Sequence, residues 1–128
     1  MAKYLTQEWL DGARELAKDQ PERAGASAKM QYVVSGAPDG EVHYYWVLED
    51  GKLLESQLGD IAEADFTLTS SYDDAVAIQK GELDPNAAFM QGRMKVTGNV
   101  GKLMQLMPLT MSPEYKALQE KIREITEY

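Results

Sequence analysis

The chain holds a single histidine, His43, set between Val42 and Tyr44 in a run of alternating apolar residues. Histidine exchanges protons near neutral pH, so His43 is the natural candidate for a general base or a pH switch. In a strand of this pattern it points away from Tyr44 and Trp46, onto a solvated face. The acidic pairs Asp73-Asp74 and Glu49-Asp50 are the candidates for holding a hard cation. Each has a simpler use: the first follows Ser71 where a helix N-cap is expected, and the second precedes Gly51 in a tight turn. There is no cysteine, which excludes disulfides, thiolate nucleophiles and Cys-ligated zinc or iron–sulfur sites. No Gly-x-Ser-x-Gly elbow accompanies any serine. The glycine-framed run Gly92 to Gly98 lacks both dinucleotide and phosphate-loop spacing and alternates inside like a strand. These residues point to no catalytic group, no metal and no cofactor.

The residue type that stands out is methionine. Met90, Met94, Met104, Met107 and Met111 fall within one 22-residue stretch, with Phe89, Val96, Leu103, Leu106 and Leu109 among them. Unbranched, polarizable Met side chains adapt to guests of variable shape, whereas Leu, Ile and Val specify a single packing. Composition alone leaves two readings open: an adaptable cavity, or a core whose irregular gaps are filled by methionine.

Those residues must be held by an ordered set of elements. Leu5, Trp9, Ala13, Leu16 and Ala17 recur at helical spacing, and Pro21 follows, so a helix is expected over Thr6 to Lys18. Alternation then takes over. Met30, Tyr32 and Val34 share one strand face, and Val42, Tyr44, Trp46 and Leu48 share that of the next. A hairpin loop at Gly36 to Gly40 and an Asp50-Gly51 turn make a three-strand meander. Phe66 to Thr69 gives a fourth strand, and Ser71 to Asp74 a capping box that opens a helix ending at Gly81. Asp84-Pro85 starts a short helix to Met90. Arg93 to Thr97 is a fifth strand, and a helix through Leu103, Met104, Leu106 and Met107 is expected to close at Pro108. The last helix starts at Ser112, with Tyr115, Leu118, Ile122 and Ile125 as its apolar stripe.

Strands followed by helices, with no repeat or long linker, predict one α+β domain over residues 1–128. Its 13 Lys and Arg against 21 Asp and Glu give a net charge of -8, which repels phosphate backbones and speaks against a nucleic-acid partner. No stretch reaches the roughly 20 apolar residues of a membrane span. The N-terminus lacks a signal-peptide core, and Ile125 to Tyr128 is not a Ser-Lys-Leu address. A soluble, cytoplasmic protein is expected.

Three segments together resemble the sterol carrier protein type 2 family: Ala64-Asp65-Phe66-Thr67-Leu68-Thr69 with Tyr72-Asp73-Asp74, Lys80-Gly81-Glu82-Leu83-Asp84-Pro85, and Ala88-Phe89-Met90-Gln91-Gly92-Arg93-Met94-Lys95-Val96-Thr97-Gly98-Asn99. Clear motif covers about residues 64–109, and the remaining layout fits. The resemblance implies a five-stranded, mostly antiparallel sheet covered on one face by helices, with an apolar tunnel between the layers. It implies non-catalytic binding and shuttling of a fatty acid, acyl-CoA, phospholipid or sterol-like molecule. Carried over residue by residue, it places Phe66, Leu68, Ile78, Phe89, Met90, Met94, Val96, Leu103, Met104 and Met107 at the tunnel. Familiar animal members are basic; the acidity here suits a stand-alone bacterial or archaeal member, with transient membrane or lipid-enzyme contact. The final helix reads either as a moving lid or as permanent core. The alternative functions are an interaction module whose Met-rich groove receives a partner helix, and an enzyme acting on bound lipid through His43. Oligomeric state is left open.

Overall fold

The computed structural model describes residues 2–18, 20–38, 40–110 and 112–128; the side chains at positions 85, 86, 107 and 110 lie outside the described set. In chain order the elements are β1 (Ala2–Lys3), α1 (Gln7–Ala17), β2 (Ala28–Ala37), β3 (Gly40–Glu49), β4 (Lys52–Leu58), β5 (Phe66–Ser71), α2 (Tyr72–Gln79), α3 (Pro85–Met90), β6 (Met94–Gly98), α4 (Val100–Thr110), α5 (Pro113–Ile125) and β7 (Thr126–Glu127).

The main sheet has the order β4-β3-β2-β5-β6. Only β2 and β5 run parallel, because the chain crosses from one edge of the meander to the other between them; the other pairings are antiparallel. This is the α+β, mostly antiparallel sheet expected. In the register Met30 stands beside Trp46 and Phe66, Tyr32 beside Tyr44 and Leu68, and Leu68 beside Val96. Alternation therefore gathers the large apolar side chains of four strands on one face. Helix α1 packs on that face at β4 and against α5, burying Trp9, Leu10, Ala13 and Ala17. Leu118 and Ile122 of α5 and Leu106 and Leu109 of α4 join the same core.

Local sequence accounts for most boundaries. Thr6, Ser71, Asp84 and Ser112 each accept the N–H of the residue three positions on, capping α1, α2, α3 and α5 as their side chains dictate. Asp65 ties two segments of the chain to the start of β5. Its carboxylate accepts the Lys29 N–H at 2.7 Å, and its carbonyl accepts the Asn99 N–H at 2.8 Å. At Gly98 φ is +101°, and a Cβ there would stand 2.8 Å from the Asp65 carbonyl oxygen, so only glycine lets the end of β6 approach so closely. The acidic residue before β5 and the Gly-Asn after β6 thus hold one junction together.

Three details depart from the sequence expectations. The first hairpin is tighter than a loop over residues 36–40, since β2 continues to Ala37 through a register shift after Val34; its central Asp39 lies outside the described residues. Pro108 does not close α4 but lies within its last turn. The hydrogen bond it cannot donate would go to the Met104 carbonyl, on an exposed turn that is open to water. A third departure is the parallel pair of β1 and β7, two residues each, which joins the ends of the described chain.

Candidate functional site

The covered sheet face is aromatic. Tyr32 and Tyr44 stack with ring centres 4.6 Å apart, Trp9 meets Tyr44 edge-on at 5.9 Å, and Tyr4 meets Trp9 edge-on at 4.8 Å. Their polar tips are engaged: the Trp9 indole donates to Thr126 Oγ1 at 2.9 Å, and Tyr4 and Tyr44 share a hydrogen bond. Burial pushes the phenols of Tyr4, Tyr32 and Tyr44 far above their ordinary value, so they stay neutral and serve as apolar walls. Such a surface presents no acid or base to a guest.

Between sheet and helices lies an apolar cavity of about 20 Å³. Trp46 and Leu48 of β3, Leu53 of β4, Leu109 of α4, and Tyr115 and Leu118 of α5 line it, with Ala17, Gln20 and Gly51 completing the wall. That volume suits about one water molecule, whereas sites for whole ligands run to roughly 300 Å³ or more. This cavity is too small to be a tunnel for a whole lipid, and the open tunnel expected from the sequence is not shown among the described residues.

The expected tunnel residues separate into groups. Phe66, 1% exposed, lies in the core, and Leu68, Val96 and Leu103 pack half-buried against it. Ile78 and Met94 are half-buried. Phe89, Met90 and Met104 are 46%, 84% and 62% exposed, on α3 and α4 at either end of the edge strand β6. The Met107 side chain and Met111 lie outside the described residues. None of the nine described candidates lines the cavity. For α4 the reason is helical phase. Leu103, Leu106 and Leu109 recur every third residue and form the inward stripe, while Met104 sits about 100° away. The cavity residues outside the expected tunnel set, Trp46 and Leu53 among them, come from separate stretches that only the tertiary fold unites.

His43 is on the opposite face of the sheet, as alternation predicts. Its Nδ1 stands 2.6 Å from Asp60 Oδ1 and its Nε2 3.0 Å from Glu41 Oε2. The hydrogen bond to Asp60, then that to Glu41, raises its pKa above the ordinary value. Asp74, capped by Ser71, also accepts from Arg93 Nε at 2.9 Å, and its carboxyl is held below the usual range by that arginine. Among the described residues no group of three or more His, Asp or Glu side chains is placed to hold a metal ion, and no helix is long and apolar enough to cross a membrane.

The comparisons with known proteins agree with this architecture. Residues 9–111 match the model of the SCP-2 sterol transfer family. Rat sterol carrier protein 2 is 33% identical over 84 residues, covering 65% of this chain and 15% of the rat protein, so the chain spans only a small part of that relative. Non-specific lipid-transfer protein-like 1 of Caenorhabditis elegans is 32% identical over 91 residues, covering 70% of this chain and 73% of that protein. A crystal structure of sterol carrier protein 2 superposes with a TM-score of 0.74 over 95% of this chain and 98% of its own, at 18% identity, a likeness of fold. The family match spans the five-stranded sheet and the helices from α1 to α4, and the chain belongs to the SCP-2 sterol transfer family.

Proposed function

We propose that this protein binds a single hydrophobic lipid between the covered sheet face and helices α1, α4 and α5, and carries it between lipid phases without making or breaking bonds. The observation that carries this reading is the family match across residues 9–111. The guest would be a fatty acid, acyl-CoA, phospholipid or sterol-like molecule. Phe66, Leu68, Val96 and Leu103 would meet it from within the core, with Ile78 and Met94 at the margin. Phe89, Met90, Met104 and Met107 would act where the lipid enters.

The energy scale suits a carrier. Burying about fifteen methylene groups is worth on the order of 12 kcal/mol relative to water, at roughly 0.8 kcal/mol each. Relative to a bilayer the gain largely cancels, so the lipid can be taken up from one phase and given to another. Because the cavity is water-sized, uptake must part the helices from the sheet, and contacts among the apolar side chains are exchanged for contacts with the guest.

Native mass spectrometry of the full chain purified from cells tests the reading. A co-purifying lipid, or saturable uptake of an added fluorescent fatty acid, is expected; a folded protein that takes up neither contradicts it. A second reading has one observation behind it: the exposure of Phe89, Met90 and Met104 suits a surface that receives a partner's helix. A stoichiometric protein in the same spectrum would favour that reading. An enzyme acting on bound lipid through His43 would have to work across the sheet from the apolar interior.

A further inference from the structure

The outward faces of α1, α4 and α5 differ in kind. Exposed positions of α1 include Glu8, Asp11 and Glu15, and those of α5 include Glu114, Lys116, Glu120, Lys121 and Glu124. On α4 every exposed position among the described residues is uncharged: Val100, Gly101, Met104, Gln105 and Pro108. Leu103, Leu106 and Leu109 already fill the inward stripe, so α4 is largely apolar on both sides, the pattern of a helix that something covers. Charge singles out the same region. No Asp or Glu occurs from residue 85 to residue 113, where Arg93, Lys95 and Lys102 stand; the rest of the chain has 10 Lys and Arg against 21 Asp and Glu, a balance of -11. Arg93 is committed to Asp74, whereas Lys102 of α4 has no ion-pair partner among the described residues. Beside α4, residues 23–26 form with Gln105 and Pro108 an open groove of about 510 Å³, in which Arg23 is the one charged lining residue.

We propose that the outer face of α4, with the adjoining 23–26 segment, is the surface by which the protein docks on a bilayer containing anionic phospholipid. Helix α4 lies along the bilayer surface, with Val100, Met104 and Pro108 entering the headgroup boundary. Lys102 and Arg23 flank that face, and their long stems carry cations out to the lipid phosphates. The face offers apolar groups and cations but no carboxylate, which is the complement of an anionic bilayer. The remainder of the chain, at -11, is repelled by such a bilayer. The same charge pattern therefore turns α4 toward the membrane, and α1, with its exposed carboxylates, cannot take its place. This inference rests on the lipid-carrier reading and adds the surface at which the carrier meets the lipid phase.

The test is co-sedimentation of the full chain with sucrose-loaded vesicles, one set of phosphatidylcholine alone and one of phosphatidylcholine with an equal part of phosphatidylglycerol. The wild-type chain is expected to pellet with the anionic set, to be released as salt is raised, and to bind the neutral set little. Lys102→Gln should weaken binding to the anionic set about fivefold. Met104→Glu, its folding checked by urea unfolding, should weaken it more than about tenfold, since an apolar contact gives way to an anion. Leu54→Glu places the same charge at an apolar residue of β4 that is 52% exposed, and should bind as the wild type does. A wild-type chain that stays in the supernatant with both sets, or equal weakening by Leu54→Glu and Met104→Glu, would overturn the docking surface. So would a stoichiometric protein held by the wild type and lost in Met104→Glu with no vesicle binding, the face then belonging to a protein partner. Uptake of a fluorescent fatty acid from vesicle-free solution separates the two readings. Uptake without vesicle binding overturns the surface and leaves the carrier reading standing; vesicle binding without uptake overturns the carrier reading alone.

Discussion

The two apolar regions of this molecule are built from different residues. The covered sheet face and its helices bury Trp9, Tyr44, Trp46, Phe66, Leu10 and Ile122, rigid groups of defined shape. The edge formed by α3, β6 and α4 presents Phe89, Met90, Val100 and Met104 to solvent. Adaptable chemistry is on the outside and shape-specific chemistry within. The contrast indicates that a methionine-rich stretch need not be the lining of a cavity. Here the interior is filled by aromatic and aliphatic packing, and the flexible groups stand exposed at the edge.

Core substitutions should separate the regions most strongly. Phe66→Ala should cost about 3–5 kcal/mol in urea unfolding, since a fully buried ring is lost. Met90→Ala should change stability by less than about 0.5 kcal/mol. A comparable cost at Met90 would mean that the edge region is packed in solution. Next is Gly98→Ala, where left-handed backbone and the approach to Asp65 leave no room for a Cβ; a loss of about 1–3 kcal/mol is expected by the same measurement. Met104→Glu sharpens the comparison from the functional side. The side chain faces solvent, so the variant should fold with near-unchanged stability and take up a fluorescent fatty acid at close to wild-type affinity. Abolished uptake would move the binding site to the methionine-rich edge.

The smallest effect expected is on pH dependence. The raised pKa of His43 in the folded state means that its pairing with Asp60 and Glu41 stabilises fully below the unfolded value of about 6.5. This stability is lost as pH rises through the raised folded value. At so open a position it should amount to a few tenths of a kcal/mol. His43→Gln should flatten the stability profile between pH 5 and 8, and an unchanged profile would show that the pairing contributes nothing.

Local signals in the sequence carried far. Ser71, Asp84 and Ser112 announced three helix starts because a cap is a contact over three residues, and Thr6, expected within the first turn of α1, is its cap. Strand alternation placed His43 opposite Tyr44 and Trp46, which depends on nothing beyond the pleat. What could not be read depends on distance along the chain. The β1–β7 pair joins residues more than a hundred positions apart through two residues on each side. The cavity draws on α1's end, β3, β4, α4 and α5, and a register shift after Val47 sets Leu48 opposite Leu53 within it. Met104 is a different case. The three-residue spacing of Leu103, Leu106 and Leu109 is present in the sequence and marks the inward stripe, so helical phase, and not the abundance of methionine, decides which side chains of α4 turn inward.

If lipid enters the aromatic interior, the two indole N–H groups report on it without any substitution. Trp9 is tied to Thr126, whereas Trp46 borders the cavity and its indole donor has no partner among the described residues. In a two-dimensional nitrogen–proton spectrum of the full chain titrated with dodecan-1-ol, the Trp46 indole signal should shift saturably. Saturable binding that leaves the Trp46 signal in place while the Met90 and Met104 methyl signals move would contradict the account.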